Sequence, residues 1–178
     1  MEDLNFWIGV LGAVVLVTGA AWPSVKISKP WKSTKNWLFT VGALIMLAYA
    51  ILNYLDGGPI FFVILQLFAN ATSVLMMLDA PDKVDVPVII TLAIGMIVWS
   101  LSLFEDYSTV LFVLGISGIG LGYAFDYGSM RREAALTIGS VLIAIFSYIV
   151  GDYIFLGLNV AFGLFSGYYF FSFFLRRS

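Results

Sequence analysis

No cysteine and no histidine occurs in the 178 residues. That removes disulfides, thiolate nucleophiles, imidazole bases and the usual ligands of zinc, copper and haem. Charge is scarce as well. Asp, Glu, Lys and Arg make up 11% of the chain, against roughly 25% in a soluble domain. The 11 acids and 9 bases all fall at the ends of apolar runs or in the gaps between them. Proton pumps and proton-coupled carriers use an ionisable group at mid-depth, and no run holds one. The chain therefore reads as no enzyme and as no proton-coupled carrier, and no cofactor or metal is expected. Sodium, which carbonyls and hydroxyls bind, stays open.

What is present is apolar: 61% of the residues are hydrophobic and the mean hydropathy is +1.00. A helix that crosses a bilayer needs about 20 such residues. Runs of that kind cover 5–22, 36–55, 59–78, 86–104, 108–125, 134–150 and 153–175. They are too long, and alternate too little, for barrel strands. Glu2 and Asp3 precede the first run, where a secretion signal carries positive charge. The longest gap, 23–35, is too short for a soluble domain. The chain reads as a single polytopic membrane domain over 1–178.

Charge sign orients the runs. Lys26, Lys29, Lys32 and Lys35 occupy the first gap, Lys83 the third, Arg131 and Arg132 the fifth, and Arg176 and Arg177 the end. The N-terminus and the intervening gaps hold only acids: Glu2, Asp3, Asp56, Glu105, Asp106 and Asp152. Basic residues flanking membrane helices stay on the cytoplasmic side. The expected topology is seven crossings, N-terminus out and C-terminus in. The four lysines of the first gap read as topology setters in contact with anionic lipid, not as a nucleic-acid patch.

The chain also repeats itself. Asn53-Tyr-Leu-Asp-Gly-Gly-Pro-Ile-Phe61 and Ser147-Tyr-Ile-Val-Gly-Asp-Tyr-Ile-Phe155 share Tyr, Gly, Ile and Phe at an offset of 94 (Tyr54 to Tyr148). Runs one to three then correspond to runs five to seven in the same orientation, with the fourth as a linker. The fold class is thus an all-α integral membrane protein with seven transmembrane helices in a 3+1+3 parallel-repeat arrangement. Its expected parts are a first repeat 5–78, a linker helix 86–104 and a second repeat 108–175.

Polar residues extend the match. Gln66, Asn70 and Ser73 make one stripe of the third run. Asn159, Gly163 and Ser166 make another in the seventh, at an offset of 93 (Gln66 to Asn159). A one-residue difference at the turn would reconcile 93 with 94. Parallel repeats bind substrate near the midplane between their halves, and amides and hydroxyls suit an uncharged ligand. The competing reading is that these residues are glue between helices. Tyr49 and Asn53, one turn apart on the second run, join the candidate substrate-binding set.

Trp7, Trp22 and Trp37 read as interfacial belt residues. Trp99, Phe146 and Tyr148 read as belt first and stacking surfaces second, while Tyr168 and Tyr169 either line the inner mouth or anchor the last helix. Gly9, Gly12 and Gly19 in the first run, and Gly115, Gly118 and Gly122 in the fifth, read as close-packing positions. Pro59 and Pro87 read as helix starts.

The stretch from Asn36-Trp37-Leu38-Phe39 to Leu65-Gln66-Leu67-Phe68-Ala69-Asn70, with Asp152-Tyr-Ile-Phe-Leu156, resembles the PnuC family of vitamin transporters. The best-known members of that family carry nicotinamide riboside. The resemblance implies a SWEET-like 3+1+3 core, facilitated diffusion, and a binding role for Gln66 and Asn70. After Asn70 the family is rich in aromatics, whereas this chain reads Ala71-Thr72-Ser73-Val74-Leu75, so its stacking pattern is unmatched. The Pro-Gln signature of SWEET sugar transporters is absent.

The leading expectation is a facilitative transporter of a small polar vitamin or nucleoside-like molecule, working by alternating access at a midplane site in the cell inner (plasma) membrane. Its partners would be that small-molecule substrate and the lipid bilayer, with no nucleic acid; homo-oligomerisation stays open. The alternatives are a seven-helix membrane receptor and a non-transporting membrane assembly protein. A tag at the N-terminus is expected to be accessible only from outside the cell and a tag after Ser178 only from inside. Protease protection that places both on one side would contradict the seven crossings.

Overall fold

The computed structural model describes residues 2–22, 29–78, 81–126 and 129–175. Lys26, Arg176 and Arg177, used above for orientation, lie outside the described residues. Among the described residues seven α-helices follow one another: α1 (Glu2–Ala21), α2 (Thr34–Leu55), α3 (Phe61–Leu78), α4 (Asp82–Ser102), α5 (Ser108–Ala124), α6 (Met130–Ile149) and α7 (Tyr153–Leu175). A 3-10 turn, Pro30–Lys32, precedes α2, and no strand occurs among the described residues. Six of the helices are long and apolar enough to cross a membrane, which makes this a multi-pass helical membrane protein. The exception, α5, has 17 residues, a length of about 26 Å.

Helices of this kind form because hydrocarbon offers no partner to backbone N–H and C=O groups, and a helix satisfies them internally. The expected ends hold to within four residues, the starts of α6 and of α4 differing most. Helix α4 starts at Asp82 and carries Pro87 inside it, not at its first position. Proline removes one N–H and crowds one carbonyl. So near the N-terminus it interrupts a single early bond, and the helix runs through it.

Contacts divide the chain into two compact units, Met1–Pro81 and Asp82–Ser178. In the first, α2 is central and packs against α1 and α3; in the second, α6 is central and packs against α5 and α7. The helix read as a linker, α4, belongs to the second unit and packs on α5. Serine caps both central helices: Ser33 Oγ accepts from the Asn36 N–H and Ser129 Oγ from the Arg132 N–H. Such a cap satisfies one of the orphan donors at a helix start.

Glycine sets the helix spacing in each unit. A Cβ on Gly42 would lie 2.6 Å from the Leu16 backbone nitrogen, and one on Gly139 would lie 2.7 Å from that of Ile119. Gly12 faces Met46 as Gly115 faces Ile143, and Gly19 faces Phe39 as Gly122 faces Leu136. All three pairs keep one offset on the first helix (103, Leu16 to Ile119) and one on the second (97, Gly42 to Gly139). The α1/α2 and α5/α6 crossings are the same crossing made twice. The expected close packing of these glycines is therefore present.

The turns repeat as well. Gly57 and Gly151 have φ of +96° and +79°, a left-handed conformation that glycine adopts without a Cβ clash. In the first turn Gly57 N donates to the Tyr54 carbonyl and Gly58 N to that of Asn53; in the second, Gly151 N donates to Tyr148 and Asp152 N to Ser147. Both are Schellman ends, related by 94 residues throughout. Asp152 then caps α7, its Oδ1 accepting from the N–H groups of Ile154 and Phe155 at 3.1 and 3.0 Å. The crossing offset is 97 and the turn offset 94, so α6 is about one helical turn shorter than α2 between crossing and turn.

Alanine at Gly42 or Gly139 must push two backbones apart, and each change is expected to destabilise by about 1–3 kcal/mol. Gly95→Ala, which would meet nothing within 4 Å, is expected to leave the melting temperature unchanged or raise it slightly. Thermal unfolding of the purified protein in one detergent checks all three.

Candidate functional site

Polar side chains inside membrane helices normally find a partner on their own helix. Thr18, Thr72, Ser73, Thr91, Ser100, Ser117, Thr137 and Ser147 do so, each donating its hydroxyl to the carbonyl four residues earlier. Against that habit two buried atoms of the first unit stand out. Thr40 Oγ1 on α2 and Gln66 Oε1 on α3 have no hydrogen-bond partner. Gln66 as a residue is 2% exposed. Leaving such an acceptor unpaired costs about 1–3 kcal/mol.

Asn70, one turn from Gln66, behaves differently. Its Nδ2 donates to the Ala43 carbonyl on α2 at 2.9 Å and to the Gln66 carbonyl at 2.7 Å. The amide nitrogen is thus committed to fastening α3 to α2. Ser73, buried, donates to Ala69. The first stripe therefore has one member that bridges helices, one that satisfies itself, and one, Gln66, whose acceptor is unused. Thr40 carried no signal in the sequence, because a helical threonine is ordinarily satisfied by its own backbone.

In the second unit Asn159 is buried and its Nδ2 donates to the Phe155 carbonyl at 2.8 Å. Ser166 is buried on the same helix. The two turns keep the offset of 94, whereas α3 and α7 begin at Phe61 and Tyr153, 92 residues apart, so turn and helix do not share one register. Gln66 and Asn159 are both buried, as are Ser73 and Ser166. Val160 and Leu164, with Ala144, Tyr148, Leu156 and Asn159, line a groove of about 470 Å³ along α6 and α7.

Of the remaining candidates, Tyr49 is buried on α2. Asn53 is drawn into the turn, its side chain lying where a Cβ on Gly58 would be. Phe146, read as a belt residue, is buried instead and meets Phe112 of α5 with ring centroids 5.2 Å apart. Trp7, Trp22, Trp37, Trp99, Tyr148, Tyr168 and Tyr169 are exposed, as a belt requires. No group of three or more His, Cys, Asp or Glu residues suited to a metal occurs among the described residues.

Comparison with known proteins gives no match, whether to a family model, a curated protein or a solved structure.

The two amides separate under mutation. Asn70→Leu removes a bridge between helices and is expected to cost about 0.6 kcal/mol, at most roughly 1.7. Gln66→Leu removes an unpaired acceptor, so the melting temperature is expected to hold or rise. A large loss of stability in Gln66→Leu would show that Gln66 is structural.

Proposed function

We propose that the chain is a facilitative transporter of a small polar molecule, vitamin-like or nucleoside-like, working by alternating access. In this reading its helices cross the membrane seven times, N-terminus out and C-terminus in. They form a 3+1+3 arrangement like that of the PnuC family, in the cell inner membrane. The repeated crossing and the repeated turn support the duplication. The observation that carries the function is Gln66 Oε1, a buried acceptor with no partner. A protein under selection for stability alone has no use for it, whereas a binding site does. Asn70, one turn away on α3, and Tyr49 on α2 complete the proposed set of ligand-facing groups in this unit.

The mode of transport follows from charge. Beyond the first turn of each helix, the described helices carry no Asp, Glu, Lys or Arg. With no titrating group at depth, protons have no carrier, and the substrate moves down its own gradient. The bond from Asn70 to Ala43 favours a second reading, in which the amides serve packing alone and the protein is a membrane assembly factor.

Proteoliposomes decide between the two. Uptake of a substrate found by thermal-shift screening is expected to equilibrate, with no accumulation under an imposed pH gradient. Gln66→Leu is expected to weaken affinity roughly 5- to 150-fold, equivalent to about 1–3 kcal/mol, without loss of folding. Proton-driven accumulation would overturn the uncoupled mode, and wild-type affinity in Gln66→Leu would overturn the site.

A further inference from the structure

The turn before α2 gathers positive charge around an aromatic ring. The Nζ atoms of Lys29 and Lys32 lie 5.9 and 5.3 Å from the centroid of the Trp31 ring, within range of its attraction for cations. Trp31 is 52% exposed. The segment is braced from within: Asn36 Nδ2 donates to the Pro30 carbonyl at 3.1 Å, and Trp37 Nε1 donates to that of Trp31 at 2.8 Å. Lys32 N donates to Lys29 and Ser33 N to Pro30 as well. Both ammonium groups thus lie beside one ring on a braced turn. No Asp or Glu occurs between Asp3 and Asp56, so the segment brings no local acid to neutralise them.

We propose that Lys29 and Lys32, positioned by Trp31, seat the phosphate of one anionic phospholipid headgroup. The turn stands at the start of an apolar membrane helix, Thr34–Leu55, which puts it at headgroup depth. The exposed indoles of Trp31 and Trp37 suit the boundary between headgroup and acyl chain. Two ammonium groups neutralise a headgroup with net negative charge. A choline headgroup already carries its own cation and gains less. General attraction to an anionic surface depends on the number of basic residues, whereas this seat depends also on the ring that holds them. The proposal is independent of transport.

The test uses the full chain in a neutral detergent, titrated with short-chain phosphatidylglycerol or phosphatidylcholine and read by native mass spectrometry. Binding is expected to favour phosphatidylglycerol. Lys29→Gln and Lys32→Gln are each expected to weaken it about 5-fold and the double change about 30-fold, the conversion of about 1 kcal/mol per basic residue. Trp31→Leu, which keeps both charges, is expected to weaken it several-fold, and Lys29→Arg with Lys32→Arg to retain it. Melting temperatures in phosphatidylcholine confirm that each variant is folded. Equal binding of the two lipids, wild-type binding by the double variant, or wild-type binding by Trp31→Leu would each overturn the seat. Full competition by inorganic phosphate would reassign it to free anions and overturn the lipid commitment.

Discussion

Hydrocarbon gives no hydrogen bonds, and that constraint governs everything in this protein. Each N–H and C=O must be answered inside the chain, so the chain is helical wherever it is apolar. Hydroxyls obey the same rule by donating to their own helix. Because the rule is kept so consistently, the two buried atoms of the first unit that break it, Gln66 Oε1 and Thr40 Oγ1, are informative. In water an unpaired amide is commonplace; here it is an exception that asks for a partner from outside the chain.

Packing without a hydrophobic drive between helices depends on close approach. Glycine provides it at Gly42 and Gly139, where the facing backbone leaves no room for a methyl group. The same crossing built twice, followed by the same left-handed glycine turn, argues for duplication of a three-helix unit. Between crossing and turn, α6 is about one helical turn shorter than α2.

Hydropathy and charge sign made the number of helices legible, because crossing a bilayer needs length and apolarity and both are written in composition. The turn repeat was legible because Gly57 and Gly151 are demanded by backbone conformation. The pairing of the stripes was less legible: Gln66 and Asn159 resemble each other by residue type, while α3 and α7 start at different distances from the turns before them. Phe146 misled for a similar reason, since an aromatic near a helix end fits an interface or a ring partner equally until Phe112 is located. Trp31 was silent in the sequence and gained meaning only when two lysines were found over its ring.

The central claim is that Gln66 faces a path open to polar solutes although it is buried in the conformation described. The chain has no cysteine, so a single cysteine placed at position 66 is the sole thiol. Labelling of Gln66→Cys in intact membranes by a small, charged, membrane-impermeant thiol reagent measures that access, with Phe68→Cys, fully buried on the same helix, as the reference. The account predicts that position 66 reacts and position 68 does not. If position 66 is as inert as position 68 from both sides of the membrane, the amide is part of the packed core and the account is contradicted.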